Sequence, residues 1–207
     1  MRKKMENFWY YHKFKVIVAI FAIVFIILGW NFNDGEVSDL EIGYVIENHN
    51  FILEGEKFEE VKAEFESLIH DVDGDGENKD VLFTALMGQR IELEFGIGIS
   101  HILLLDKEIL SVFIDNPFFE PLDRYVEKYN IDISDFPEVR TVPYGTTEPK
   151  VYALPVKEMP LLLDIGLPED FYFTIRFPKE KEKGDVMRVE NAHIVLDYIL
   201  DDGQKRK

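Results

Sequence analysis

The sequence predicts an α/β fold: an N-terminal transmembrane helix, then a single doubly wound lobe of parallel or mixed sheet with helices on both faces. Three observations predict it. Residues 14–30 (FKVIVAIFAIVFIILGW) form the one long apolar run of the chain, interrupted only by Lys15. Beyond them, strand-length apolar runs alternate with stretches of helical periodicity, the pattern of helices that connect strands of one sheet. Residues 101–106 (HILLLD) are apolar almost throughout, as a strand covered on both faces requires.

A helix over residues 14–30 spans about 25 Å, at the short end of what crosses a hydrocarbon core of about 30 Å. The flanks supply the missing length. Phe8, Trp9, Tyr10 and Tyr11 precede the run and Trp30 and Phe32 follow it, and such rings favour the membrane interface. Lys13 and Lys15 can extend their ammonium groups to the headgroups. Arg2, Lys3, Lys4, Lys13 and Lys15 stand before the span against one acid, Glu6, which keeps the N-terminus cytoplasmic and sends the rest outside. The residues after the apolar core, Gly29 to Asn33, lack the small-residue pattern of a cleavage site, so an uncleaved signal anchor is expected rather than a signal peptide. The organisation read from this is a cytoplasmic arm at 1–13, a transmembrane signal anchor at 14–32, a linker at 33–39, an extracytoplasmic domain at 40–202 and a flexible tail at 203–207.

The chain has a formal net charge of −17, with 40 acidic and 23 basic side chains. The first fifteen residues are basic, so the remainder is more acidic still. That excludes nucleic acid as a partner, because a binder must neutralise phosphates with Lys and Arg. It also argues against electrostatic adsorption on an anionic membrane. There is no cysteine, hence no disulfide and no thiol to carry a lipid. The domain is long enough to build a core without one.

Within the domain, residues 40–47 (LEIGYVIE) alternate as a first strand, with Gly43 as a weak point. Residues 57–70 (KFEEVKAEFESLIH) place Phe58, Val61, Phe65, Leu68 and Ile69 on one helical stripe. Residues 80–87 (DVLFTALM) read as a buried strand, and 89–98 fit either a strand or a connecting helix. The strand at 101–106 is followed by short helices over 107–115 and from near Pro121 to 130, then by a proline-bearing loop over 131–150. Residues 151–156 (VYALPV) form a strand that Pro155 confines to an edge or an end, 171–177 (FYFTIRF) alternate cleanly, and 189–202 form the last helix.

The sharpest chemical signal is the loop from Asp71 to Asp80. Asp71, Asp73 and Asp75 with Gly76 match the front of an EF-hand-type calcium loop: oxygens two residues apart converge where a glycine lets the chain turn sharply. Glu77 would supply the position-7 carbonyl. Position 12 is Leu82 rather than a bidentate Glu, leaving Asp80 as the nearby substitute, so calcium is the expected but weak cofactor. An acidic turn that holds no ion reads equally well.

No catalytic set emerges, and the expectation is a non-enzyme. The five histidines are scattered, and the zincin, nucleophile-elbow, P-loop and dinucleotide patterns are missing. His101 opens a strand and reads as a packed residue; His193 reads as solvent-facing. In open α/β sheets ligands bind outside the carboxyl ends of the strands, which singles out Glu47, Asn48 and His49 after the first strand and Asp106 after the third.

From residue 101 onward the sequence resembles the first lobe of a bacterial extracellular solute-binding protein, similar to the periplasmic binding proteins. HILLLDKEIL resembles the family's buried strand and following helix, and FFEPLDRYVEKYNID the segment after it. VYALPV resembles the strand that leaves the lobe towards the hinge, and FYFTIRFPKE with NAHIVLDYIL the returning strand and helix. LEIGYVIE and the helix from Lys57 suit the opening βαβ unit. Only 14 residues separate Val156 from Phe171, where the family inserts a second lobe, so the hinged cleft that closes on solute is missing. The resemblance implies a membrane-anchored, solute-binding-like module, accessory to a transport or envelope complex. The alternative expectation is a structural or sensory ectodomain stabilised by calcium at the acidic loop.

Overall fold

The computed structural model describes residues 38–46, 51–72, 74, 76, 79–143, 146–179 and 183–206. The apolar run at 14–30 and the whole N-terminal arm lie outside them. Among the described residues no helix is long and apolar enough to cross a membrane.

One compact unit spans Ser38–Lys207. Its centre is a five-stranded mixed sheet in the order β2-β1-β3-β7-β6. The strands are β1 (Leu40–Val45), β2 (Val81–Leu86), β3 (Ile102–Leu105), β6 (Leu154–Pro155) and β7 (Tyr172–Ile175). β1 pairs in parallel with both β2 and β3, and β7 runs antiparallel to β3 and β6. A separate two-stranded ribbon joins β4 (Arg140–Thr141) to β5 (Lys150–Val151). The proline-bearing loop of the sequence reading therefore carries structure of its own, including a 3₁₀ turn at Pro137–Val139.

The connecting helix α1 (Glu56–Leu68) lays Phe58 and Phe65 against Phe83 of β2, with ring centroids 4.9 and 6.5 Å apart. The ambiguous stretch is a helix, α2 (Gln89–Ile97). It buries Ile91, Glu94 and Phe95, an i, i+3, i+4 stripe in which one member is an acid. Glu94 comes close to Glu41, whose side chain alternates to the face opposite Ile42. The sheet is thus covered on both sides. Helices α3 (Lys107–Phe113), α4 (Asp123–Tyr129) and α5 (Pro160–Asp164) are short, and Phe113 of α3 stacks on Phe95 at 3.6 Å.

Gly43 is a close-packing position. A Cβ there would meet Ser100 Oγ at 2.8 Å and the Leu86 and Leu103 methyls at 2.9 Å, so only glycine lets the β3 entry and the leucines of β2 and β3 close over β1.

The last helix, α6 (Lys183–Arg206), starts earlier than its apolar stripe suggested and continues through the expected tail. Gln204 donates to the Tyr129 carbonyl at 2.7 Å, and Arg206 pairs with Asp164 and Asp202. Halfway along, buried Asn191 donates to the carbonyls of Asp39 and His70 and accepts the His70 amide. Asp39, at the end of the expected linker, belongs to the fold: its carboxylate accepts the amides of Val72 and Asp80.

Candidate ligand site at the carboxyl ends of the parallel strands

The chain passes from β1 to β2 on one side and then to β3 on the other, so the strand order reverses between β1 and β3. At such a switch point the connections diverge and leave a crevice. Glu47, Asn48 and His49, which follow β1, lie outside the described residues. Asp106, which follows β3, is buried, and its carboxylate accepts the Ile109 amide at 2.8 Å as the N-cap of α3. Its position matches the expectation, while its side chain serves the helix.

Around that end the described residues form an aromatic wall. Phe51 lies 5.8 Å from Tyr44 and 5.6 Å from Phe171. Burial pushes the Tyr44 phenol up despite its bond to the Leu53 backbone. Beside the wall, Tyr172 donates to Glu138 at 2.5 Å and Lys107 pairs with Glu138 at 2.8 Å. Burial works to raise the Glu138 carboxyl, but these two donors outweigh it and hold it below its ordinary value. Its second oxygen is buried with no partner among the described residues. A wall of rings with one lysine and one carboxylate can bind and orient a ligand.

Two further polar groups lie elsewhere. At the opposite end of the sheet, His101 Nε2 is 2.9 Å from Asp185 Oδ1, Arg176 donates to the same oxygen at 3.1 Å, and the Lys179 amide donates to Asp185 Oδ2. Burial alone would raise the Asp185 carboxyl, yet the bonds from His101 and Lys179 and the Arg176 charge hold it well below the carboxylate range. Desolvation lowers the His101 imidazole, helped by Arg176. His101 is thus packed, as its position at a strand start suggested.

On the outer flank, α4 and α6 border a groove of about 720 Å³. Here His193 is held, where the sequence suggested a solvent-facing residue: Tyr125 Oη is 3.0 Å from its Nδ1 and Glu120 Oε2 is 2.7 Å from its Nε2. Arg124 donates to Tyr125 Oη at 3.2 Å and lies over its ring. The chain folds α4 back on α6, which brings together residues about seventy apart. No local spacing announces Glu120, Tyr125, Glu138, Arg176 or Asp185.

In the acidic loop, Asp71 Oδ1 accepts the Gly74 amide at 2.6 Å and Oδ2 the Gly76 amide at 3.3 Å. The Asp80 amide is tied to Asp39. Asp73, Asp75 and Glu77 lie outside the described residues. Among the described residues no group of three or more acids or histidines converges as a metal site.

The chain matches no known protein family and no curated protein.

Proposed function

We propose that the chain is a membrane-anchored, extracytoplasmic solute-binding-like module that does no chemistry of its own and serves a transport or envelope complex. One observation carries this reading. The segments that resemble the leaving and returning strands of a solute-binding lobe, β6 and β7, lie side by side and antiparallel at one edge of the sheet. Neighbouring strands are what a lobe needs if chain is to depart and return at one hinge. Here the connection between them is a 3₁₀ turn at Val156–Glu158 and the helix α5, with Pro160 packed against Gly203 of α6. A second lobe has no place in it, so a ligand or partner would meet the carboxyl ends of β1 and β3 as an open surface.

The apolar run at 14–30, with its basic N-terminal flank, supports a signal anchor that keeps this surface outside the cell. The test is purification of the tagged full-length chain from its own membranes in mild detergent, followed by mass spectrometry. Stoichiometric recovery of a transport permease or another envelope protein is the expected result. Recovery of the chain alone overturns the accessory role.

A second reading, a calcium-stabilised structural or sensory ectodomain, has its own support. Asp71 already gathers the amides of Gly74 and Gly76, which curls the loop in the sense that converging carboxylates require. Asp73, Asp75, Glu77 and Asp80 would add the remaining oxygens. Thermal unfolding in calcium and in chelator decides it: a rise in midpoint with calcium is expected, and an unchanged midpoint removes the ion from the account.

A further inference from the structure

Four of the eleven large apolar side chains that stand exposed among the described residues fall in segments that meet in the fold. Ile97 ends α2, Ile99 leads into β3, Phe177 follows β7 and Val186 lies in the first turn of α6; these four are between 42 % and 57 % exposed. All four lie at the same end of the sheet. The Arg176 amide bonds the His101 carbonyl, which puts the end of β7 beside the start of β3, and Asp185 bonds His101 there too. Through that same end the chain enters from residues 1–37. The His101 amide bonds the Glu41 carbonyl at the start of β1, and Arg188 donates to the Ser38 carbonyl at 2.7 Å.

Given the membrane anchor of the preceding section, on which this step rests, we propose that this end of the domain docks on the lipid bilayer, with Ile97, Ile99 and Phe177 entering the interfacial layer. The seven residues 31–37 span at most about 25 Å even if fully extended, so a bilayer that holds the apolar run is always within reach of Ser38. Charge does not drive the contact, since the chain carries −17. Apolar insertion does, and the tether supplies the effective concentration that a free acidic domain would lack. The acidic loop lies at this end as well, but on the side of β2 and α1, tied through Asp39. The half of this end below α2, β3 and β7 carries the four apolar side chains, with the exposed Lys179 and Lys183 beside them long enough to extend to the headgroups, and is therefore the part that meets lipid.

The absence of cysteine makes the test direct. Single-cysteine full-length chains, Ile99→Cys, Phe177→Cys and Ile52→Cys, are labelled with an environment-sensitive fluorophore and reconstituted into zwitterionic liposomes. Ile52 is 70 % exposed and follows β1 at the opposite end of the sheet, beside Phe51. The expected result is a blue-shifted emission at positions 99 and 177, quenched by a lipid-borne quencher, with neither effect at 52. Adding Ile97→Asp to the labelled Phe177→Cys chain should abolish its shift. Extraction of the chain by alkaline carbonate would overturn the anchor and the docking together. Retention with equal emission at all three positions would overturn the docking alone. A shift seen in native membranes but not in protein-free liposomes would replace the lipid surface by a membrane protein.

Discussion

A single carboxylate, Asp185, holds donors from three parts of the chain: His101 at the start of β3, Arg176 at the end of β7 and the Lys179 amide. Removing a partner from such a group costs more than the bonds themselves, because the Arg176 guanidinium would stay buried without its counter-charge. Asp185→Asn should therefore cost about 3–5 kcal/mol in urea unfolding. A loss below about 1 kcal/mol would mean that Arg176 finds water instead. Glu41 runs the other way. Burial raises its carboxyl above the ordinary value, outweighing the 2.8 Å bond from Thr84, and Glu94 adds to the rise. A carboxyl raised on folding favours its protonated form, so its contribution is lost as pH climbs from the unfolded value through the folded one. Glu41→Gln keeps an acceptor for Thr84 and removes that loss, so the variant should be more stable than the parent at neutral pH and no more stable in acid. Neither residue announces itself in the sequence. Asp185 stands in the charged stretch 178–185, and Glu41 alternates with apolar neighbours as a solvent-facing strand residue would. Their burial depends on partners far along the chain, which no local period records.

At the level of elements, the strongly periodic segments were legible and the ones that mix an acid into the buried stripe were not. The helix α1 follows its Phe58, Val61, Phe65 stripe, although Leu68 at its end is partly exposed. The helix α2 was ambiguous because Ile91, Leu93 and Phe95 alternate. The residues that turn inward are Ile91, Glu94 and Phe95, with Glu94 accepting the amides of Ile99 and Ser100. A carboxylate that caps the next segment hides a helical face from a hydrophobicity count. The last helix runs beyond its apolar stripe for a related reason. Its final turn is held by Gln204 on the Tyr129 carbonyl, by Arg206 on Asp164 and by Gly203 against Pro160, contacts that polar composition disguises as a frayed tail. Truncation after Asp202 should therefore lower stability by about 1 kcal/mol, since the Arg206 pair with Asp164 is exposed and the part-buried Gln204 bond contributes most. An unchanged midpoint in thermal unfolding would restore the tail as dispensable. Of the candidate ligand site the sequence shows only a position beyond the strand ends: β3 ends at Leu105 beside Asp106, Glu47, Asn48 and His49 lie outside the described residues, and the rings of Tyr44, Phe51 and Phe171 converge there only through the fold.

For the whole molecule, the opposing effects of acid and salt give the last prediction. With 40 acidic against 23 basic side chains, the folded state at neutral pH repels itself, and screening should relieve it. Raising salt from low ionic strength to a Debye length of about 8 Å should thus raise the melting temperature at neutral pH. Mild acidification also lowers the negative charge, but it meets the cluster at the foot of α6. The His101 imidazole is lowered on folding, so its contribution is present at neutral pH and is lost as pH falls through the ordinary histidine range. The Asp185 carboxyl is held down as well, so its share survives that step and is lost further down, as pH falls through the unfolded carboxyl range. The melting temperature should consequently fall below about pH 6 although the net charge is then smaller, and the fall should steepen in the carboxyl range. Calorimetry across pH at fixed salt separates the two causes. If charge repulsion dominated, stability would rise steadily on acidification to the isoelectric region. If the buried cluster dominates, it falls there, and Asp185→Asn removes the part of the fall that lies in the carboxyl range while leaving the histidine step and the response to salt at neutral pH in place.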